Sequence, residues 1–380
     1  KQKERKFDKM KAIQSGNTFR IYDNSMKTFD QLPPNAYLVN FSDKTGFFLT
    51  LYSNIDIKEK VYGIHEAKVN KTLRSFEQFD RNLGVILSGD KGIGKSLFSK
   101  MLAQRGIEAG YPLIIANEYI PGIGEYLNSI EQEVMVLFDE FDKTFQKRGD
   151  CDPQAEMLTL FDGIAQGKKL FIVTCNDLRG LNSFLVNRPG RFHYHLRFEY
   201  PNAEAIREYL TDALDEQYHH EIQAVISFAG KVDLNYDCLR AIAFELNTGL
   251  TFREAIADLN IINLDAERYT LVLVLNNGEE LKTVERLDSF NSDEISSEFY
   301  DPEMHEDLFY AYYVPSANKF DSNSAVCYID AADLRLELQS HINPNSDDED
   351  YKRLYQKYKD VKPVRLELRR QKSKSLHYLV

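Results

Sequence analysis

The sequence has few cysteines and no long apolar stretch. Its four cysteines, Cys151, Cys175, Cys238 and Cys327, have neither the paired spacing of a zinc site nor the density of a disulfide framework. We therefore expect reduced thiols and a cytoplasmic protein. Because no apolar run reaches the roughly 18 residues that suggest a membrane span, we predict no membrane partner.

Positive charge is also scarce relative to negative charge. The chain contains 47 Lys and Arg against 59 Asp and Glu, which gives a formal net charge of −12. An acidic chain is a poor general binder of nucleic acid, because neutralising phosphates requires an excess of cations. Net charge does not exclude nucleic-acid binding by a ring-shaped assembly that is acidic outside and has a basic central pore. Both the first residues and the stretch 365–374 are basic.

Length and composition predict several domains rather than one. A chain of 380 residues is too long for a single core, and an apolar content of 43% excludes a disordered protein. The predicted fold class is α/β, a parallel sheet with helices on both faces, plus a small helical subdomain and small β-rich flanking domains. The predicted boundaries are 1–57 for a β-rich N-terminal unit with a basic arm, 58–200 for an α/β core, 201–264 for a helical subdomain and 265–380 for a β-rich C-terminal domain with acidic loops and a basic tail.

The strands of the predicted core are short apolar runs without polar alternation. The runs GVILSG, YPLIIAN, EVMVLFDE and KKLFIVTCN are typical of central strands in a parallel sheet that is covered on both faces. Outside the core, the stretch 288–307 has eight acidic residues and no Lys or Arg, which predicts a solvated loop or a charged face. The acidic stretch 346–350 is predicted to be an exposed linker.

The segment 89–96 matches the phosphate-loop pattern G-x-x-x-x-G-K-[ST], after an apolar run and before a helix. Glycines let the backbone curl so that its N–H groups face a phosphate, and the helix N-terminus adds partial positive charge. Lys95 is predicted to reach the β- and γ-phosphates and Ser96 to bind Mg²⁺, so the expected ligands are ATP and Mg²⁺. The predicted nucleotide-binding residues here are Gly89, Asp90, Lys91, Gly92, Ile93, Gly94, Lys95, Ser96 and Leu97.

Two further apolar runs end in polar residues that suit phosphate chemistry. The run 134–138 precedes Asp139, predicted to hold Mg²⁺, and Glu140, predicted to polarise the attacking water. The run 171–175 precedes Asn176, whose amide could orient the same water. The alternative for each is an ordinary strand end with polar turn residues.

Two arginines, Arg188 and Arg191, flank a Pro-Gly turn in the segment N-R-P-G-R-F. Guanidinium groups suit phosphate oxygens because their donors form a planar fork. The two arginines lie too far along the fold from the phosphate loop to be assigned to the same subunit's pocket. In a ring, they would reach the γ-phosphate of a neighbouring subunit as arginine fingers. The alternative is a pair of surface arginines that bridge carboxylates.

The order of these motifs resembles that of AAA+ ATPases, over residues 58–262. The R-P-G-R-F element resembles the second region of homology of the AAA clade proper, and Phe161-Asp162-Gly163 resembles the L-D-G that precedes it. The resemblance implies the AAA+ core with a helical lid, ATP hydrolysis, and assembly with itself into a ring, as a homo-hexamer. The roles it implies are Walker A for Lys95 and Ser96, Walker B for Asp139 and Glu140, sensor 1 for Asn176, arginine fingers for Arg188 and Arg191, and adenine contacts for Tyr62 and Gly63.

The resemblance has departures, and two residues keep two interpretations each. The phosphate loop reads GDKGIGKS where the clade has G-P-P-G-T-G-K-T. Tyr119 is either an aromatic residue of a pore loop that grips substrate or a packing residue. Arg240 lies where many family members have a sensor 2 arginine, and an exposed helical arginine is the alternative.

The sequence favours a motor that remodels or unfolds a protein substrate, alone or through an adaptor. The clade motif and the acidic charge favour it, and the sequence lacks the zinc protease motif H-E-x-x-H, so degradation would need a partner. The alternative is a nucleic-acid motor or loader, such as a replication initiator, clamp loader or helicase, favoured by the basic ends. A third option is a regulatory role in which ATP binding acts as a switch.

Overall fold

A computed structural model of the chain divides it into two compact units, with the boundary between Glu199 and Tyr200. The residues that the structure describes are 11–23, 25–53, 55, 65–147, 149, 151–162, 167–261, 267–321, 324 and 326–371. The first unit contains a hydrophobic core of its own, and the second contains two, one among residues 206–255 and one among residues 269–368.

The first unit combines strands and helices in alternation. Its strands are β1 (Lys11–Ser15), β2 (Thr18–Tyr22), β3 (Ala36–Ser42), β4 (Gly46–Leu51), β5 (Leu83–Ser88), β6 (Leu113–Ala116), β7 (Val134–Phe138), β8 (Lys169–Cys175) and β9 (Tyr194–Arg197). Its helices are α1 (His65–Gln78), α2 (Lys95–Glu108), α3 (Ile123–Asn128), α4 (Phe141–Thr144), α5 (Pro153–Glu156) and α6 (Leu158–Phe161).

Strands β3 to β9 form one sheet in the order β4-β3-β6-β7-β8-β5-β9. The β3–β4 pair is antiparallel, and the other pairs are parallel. All residues of β5, β6 and β8 are buried, as expected for parallel strands with both faces covered. The carboxyl ends of β5, β7 and β8 lie at the same edge, where open α/β sheets bind their ligands.

The N-terminal strands differ from the predicted domain division. We predicted a separate unit over 1–57, but β3 pairs with β6, with Ala36 opposite Leu113, and so belongs to the core sheet. Tyr37 and Val39 of β3 are buried. The physical reason is that the pairing buries an apolar side chain of β3, Val39, in the core of the first unit. Only β1 and β2 form a separate two-stranded hairpin among the described strands.

The second unit contains a group of helices followed by antiparallel strands. Its helices are α7 (Ala203–Ala213), α8 (Ile222–Ala229), α9 (Tyr236–Asn247), α10 (Phe252–Asp258) and α11 (Glu349–Tyr358). Its strands are β10 (Glu267–Leu275), β11 (Glu280–Leu287), β12 (Ile295–Tyr300), β13 (Asp307–Tyr313), β14 (Lys319–Asp321), β15 (Val326–Asp330), β16 (Leu334–Leu338) and β17 (Pro363–Arg370). Of the helices described in either unit, none combines the length and the apolar character needed to span a bilayer.

Side-chain caps begin three of the four helices that precede the strands of this unit. The side chains of Asn202, Asn235 and Thr251 accept hydrogen bonds from the first turns of α7, α9 and α10, and Thr251 forms a full capping box with Glu254. The strands form two sheets, with the orders β11-β10-β17-β15-β14 and β12-β13-β16. The domain boundary predicted between residues 264 and 265 falls inside this unit and stays a prediction.

Two acidic stretches of the second unit contain regular secondary structure. Within 288–307, β12 pairs with β13 and buries Phe299 completely, so this stretch supplies a strand of the core. Within 346–350, Asp348 caps α11 by accepting a hydrogen bond from the N–H of Asp350. Acidic residues mark the start of a helix here, because a carboxylate there pairs with free N–H groups and the positive end of the helix dipole.

We expect Gly84→Ala to destabilise the first unit. A Cβ on Gly84, in β5, would lie 2.3 Å from the carbonyl oxygen of Arg191 and 2.9 Å from the Cα of Phe192, and backbone atoms cannot move aside easily. Overpacking of this kind lowers the free energy of unfolding by about 1–3 kcal/mol. Thermal unfolding followed by differential scanning fluorimetry measures the effect. The control is Gly190→Ala, where a Cβ would meet nothing within 4 Å; equal melting temperatures for both variants would contradict the prediction.

Candidate active site

The predicted phosphate loop connects β5 to α2 at the carboxyl edge of the sheet. Gly89, Gly92 and Gly94 have φ angles of 140°, 74° and 101°, values that glycine adopts far more readily than other residues. At Gly89 a Cβ would also lie 2.5 Å from the carbonyl oxygen of Phe198. The path of the loop therefore depends on glycine at these positions.

Lys95 opens α2 and turns its side chain back over the loop. Its ammonium donates to the carbonyl oxygens of Gly89 and Asp90, the latter at 2.6 Å, and to Oδ1 of Asn176 at 2.9 Å. Its side chain is buried, and burial lowers the pKa of Lys95. Since Gly94 is the N-cap, no side chain caps the helix, and N–H groups of its first turn are available to an anion. This cradle fits a phosphate.

A hydroxyl on the neighbouring strand holds both acidic residues in place. Thr174, on β8, donates from Oγ1 to Oδ1 of Asp139 at 2.7 Å and accepts the backbone N–H of Glu140 at 2.8 Å. Thr174 is only 1% exposed. No sequence motif pointed to this residue, although a threonine two positions before Asn176 on an apolar strand is a visible signal.

Glu140 lies at the turn from β7 into α4, with a left-handed φ of 46°. Its Oε1 accepts a hydrogen bond from Lys143 at 2.8 Å and one from Nδ2 of Asn176 at 3.3 Å. The Lys143 hydrogen bond is the main cause that lowers the pKa of Glu140. Asn176 therefore bridges Lys95 and Glu140, so these three predicted residues lie in one hydrogen-bonded group.

Asp142 is a second residue that the sequence analysis missed. It is 6% exposed, and its Oδ2 accepts the backbone N–H groups of Asn176 and Asp177 at 3.1 and 3.2 Å. These bonds fix the turn that presents the Asn176 side chain. Within the described residues its Oδ1 has no hydrogen-bond partner. The signal in the sequence is the second aspartate of D-E-F-D, three residues after Asp139.

Ser96 and Asp139 are both exposed to a cavity of about 330 Å³ beside α2, which Glu140 also lines. A hydroxyl and a carboxylate fit Mg²⁺, because this ion usually takes one or two protein oxygens and completes its shell with phosphates and water. No group of three His, Cys, Asp or Glu side chains suited to a metal occurs in the described part of the chain. The donor set therefore fits Mg²⁺ bound together with a nucleotide.

The two predicted arginine fingers have different surroundings. Arg191 pairs through two nitrogens with Asp162, with Nη2 2.7 Å from Oδ2, and Nη1 donates to the carbonyl oxygen of Phe184 at 2.7 Å. Its side chain is 11% exposed, and the bond to Asp162 raises the pKa of Arg191. Arg188 is exposed and lies over the Phe184 ring at 5.4 Å. Of the two, Arg188 is the more available to another molecule.

Tyr119 lies against the core of the first unit. Its hydroxyl donates to Glu156, and its ring meets Phe145 edge-on at 5.8 Å between centroids. Burial is the main cause that raises the pKa of Tyr119. These contacts favour the packing interpretation over the pore-loop one.

The other predicted site residues are distributed as follows. Asp90 and Lys91 are exposed on the loop, Ile93 is buried with 2% of its surface exposed, and Leu97 is half-buried in α2. Arg240 belongs to α9 of the second unit and pairs with Asp237 at 3.5 Å. Tyr62 and Gly63, the predicted adenine contacts, lie outside the described residues.

Residues 85–200 match the sequence profile of the ATPase family associated with various cellular activities (AAA). The chain is 23% identical to the proteasome-associated ATPase of Mycolicibacterium smegmatis, over 52% of this chain and 36% of that protein. It is 25% identical to the proteasome-associated ATPase of Kribbella flavida, over 53% of this chain and 42% of that protein. It is 29% identical to a protein of Kocuria rhizophila named AAA ATPase forming ring-shaped complexes, over 34% of this chain and 29% of that protein.

The matched segment coincides with the site. It begins within β5, includes the phosphate loop, the ends of β7 and β8 and both arginines, and ends just after β9. The chain spans less than half the length of these relatives. Sequence match and loop geometry agree on one conclusion: the chain carries a P-loop ATPase domain of the AAA+ class.

Proposed function

We propose that this protein binds and hydrolyses ATP at the carboxyl edge of its seven-stranded sheet, and uses the reaction to remodel or unfold a protein. One observation carries the proposal. Lys95, at the head of α2, is joined through Asn176 to Glu140, so the phosphate loop and a carboxylate base belong to one hydrogen-bonded site.

The side chains divide the work of hydrolysis. The loop N–H groups and Lys95 bind the phosphates, and Ser96 and Asp139 are the residues that would hold Mg²⁺, which neutralises phosphate charge when bound. Glu140 takes a proton from the attacking water as the water oxygen bonds to the γ-phosphorus and the bond to the ADP oxygen breaks. Asn176 orients Glu140 and the water. The products are ADP and inorganic phosphate.

Assembly into a ring would bring an arginine of one subunit to the phosphate loop of the next. Within one chain Arg191 is engaged by Asp162, and Arg188 is exposed on the surface. An exposed arginine of one subunit can stabilise the transition state in the next, as arginine fingers supplied in trans do. The name of the Kocuria rhizophila relative refers to ring-shaped complexes, which supports a ring, and we propose a homo-hexamer.

A protein is the favoured substrate. The names of two relatives associate them with the proteasome, which supports a motor that acts on proteins or through a protein adaptor. The net charge of −12 argues against general binding to nucleic acid. The basic residues Lys372 and Lys374 of the tail, which favoured a nucleic-acid motor, lie outside the described residues.

The test is the ATPase rate with Mg²⁺, measured alone and with an unfolded protein such as casein, with single-stranded DNA and with double-stranded DNA. Stimulation by casein and indifference to both DNAs are the expected results, because a protein substrate coupled to the motor increases turnover. Stimulation by DNA alone would reverse the choice of substrate. Absence of hydrolysis under every condition would contradict the ATPase itself.

A further inference from the structure

Lys143 is a cation at the site to which neither the sequence motifs nor the proposed mechanism assigns a role. It belongs to α4, three residues after Glu140, and the two side chains form an ion pair with 2.8 Å between Nζ and Oε1. The left-handed backbone of Glu140 turns the chain from β7 directly into α4, and the N–H of Lys143 donates to the carbonyl oxygen of Glu140 at 2.8 Å. The tight turn thus brings Lys143 next to Glu140.

The hydrogen bonds to Glu140 are concentrated on one of its two oxygens. Oε1 accepts from both Lys143 and Asn176, while Oε2 accepts no hydrogen bond from the residues that the structure describes. Asn176 is itself fixed by Lys95 and, through its backbone, by Asp142. One oxygen is therefore held on two sides, and the other is left for water.

We propose that Lys143 is a positioning residue for ATP hydrolysis: together with Asn176 it holds Oε1 of Glu140, so that Oε2 is presented to the attacking water. The inference rests on the proposed ATPase function. Without Lys143, the Glu140 carboxylate keeps the 3.3 Å hydrogen bond from Asn176 and the attraction of the Lys91 charge, neither of which holds Oε1 as closely, and it gains freedom to rotate. A catalytic group that is displaced by about 1 Å can lose about 100-fold in rate.

The ion pair contributes little to the stability of the fold, so a change in kcat after its removal can be assigned to catalysis rather than to unfolding. The side chains of Lys143 and Glu140 are 39% and 44% exposed, and exposed ion pairs stabilise proteins only weakly. Lys143→Met should therefore fold normally. Circular dichroism and binding of a fluorescent ATP analogue check this for each variant.

The first experiment compares kcat and KM for ATP in the full chain. We expect Lys143→Met to lower kcat by about tenfold to hundredfold while KM and nucleotide affinity stay close to wild type. Lys143→Arg should retain most of the activity, because a guanidinium can also donate to Oε1. The matched control is Lys147→Met, which removes an exposed lysine from the same segment and should leave kcat unchanged.

A second experiment separates positioning of Glu140 from a direct contact between Lys143 and phosphate. In single-turnover hydrolysis, adding Lys143→Met to Glu140→Gln should cause no further loss, since the residue through which Lys143 acts has already been changed. A further loss of similar size in the double variant would overturn the positioning role. Equal kcat values for an active wild type and for Lys143→Met would also overturn the positioning role. A wild type without ATPase activity would overturn the proposed function and this inference together.

Discussion

Glu140→Gln is expected to bind ATP with near wild-type affinity and to hydrolyse it about 10²–10⁴-fold more slowly, the contribution of a positioned general base. The amide keeps the size of the side chain, and its oxygen can still accept the bonds from Lys143 and Asn176. It cannot take a proton from water. The phosphate-binding residues are unchanged, so binding and catalysis separate in this variant.

Two measurements test the Glu140 prediction. Steady-state phosphate release gives the rate, and binding of a fluorescent ATP analogue gives the affinity. Glu108→Gln makes the same chemical change on an exposed residue at the end of α2 and should hydrolyse ATP like the wild type. Wild-type turnover in Glu140→Gln would contradict the role of Glu140 as the base.

Arg188→Ala is expected to lower hydrolysis by about 10³–10⁵-fold, the usual contribution of an arginine finger, without a loss of nucleotide affinity. Arg188 is exposed and lies over the ring of Phe184, so its removal leaves no buried partner unpaired. Arg179→Ala removes another exposed arginine of the same unit and serves as the control. Reduced activity in both variants would argue against a specific role for Arg188.

Mixing two inactive variants tests whether Arg188 acts between subunits. A chain with Arg188→Ala keeps its own phosphate loop, whereas a chain with Lys95→Ala keeps its arginine. In mixed rings the second chain can supply Arg188 to the loop of the first, so activity should rise above that of either variant alone. Unchanged activity at every mixing ratio would show that Arg188 does not act across a subunit boundary.

Arg191→Ala is a less direct test of the same idea. This side chain is 11% exposed and is bound to Asp162 and to the carbonyl oxygen of Phe184. Its loss leaves the Asp162 carboxylate without its partner and should lower the melting temperature as well as the rate. The Arg188 variant therefore decides the question, and the Arg191 variant reports on the turn that carries both arginines.

Local patterns were sufficient to predict most elements of the core. The runs that become β5, β6, β7 and β8 were recognisable because both faces of these strands are buried, and such strands lack polar alternation. The helices of the second unit follow their amphipathic periods, with capping residues at four of their starts.

Composition alone left two predictions open for the stretch 288–307, a solvated loop and a charged face. The stretch 288–307 has the charge of a solvated loop, yet Ser297 and Phe299 on alternate positions of β12 are both fully buried. One strand face is enough to anchor a segment, and the other face can carry all its charge. The stretch 346–350 contains a helix start for a related reason, since carboxylates are favoured at helix N-termini.

The sequence by itself determined the phosphate loop, the order of the polar strand ends and the ATPase class, because each depends on residues that are adjacent along the chain. Only the tertiary structure decided which side chains meet. Lys95 and Asn176 are 81 residues apart, and Arg191 and Asp162 are 29 apart. The pairing of β3 with β6 likewise joins distant segments. Such contacts depend on the order of strands in the sheet, which hydrophobic periodicity and local propensity do not specify.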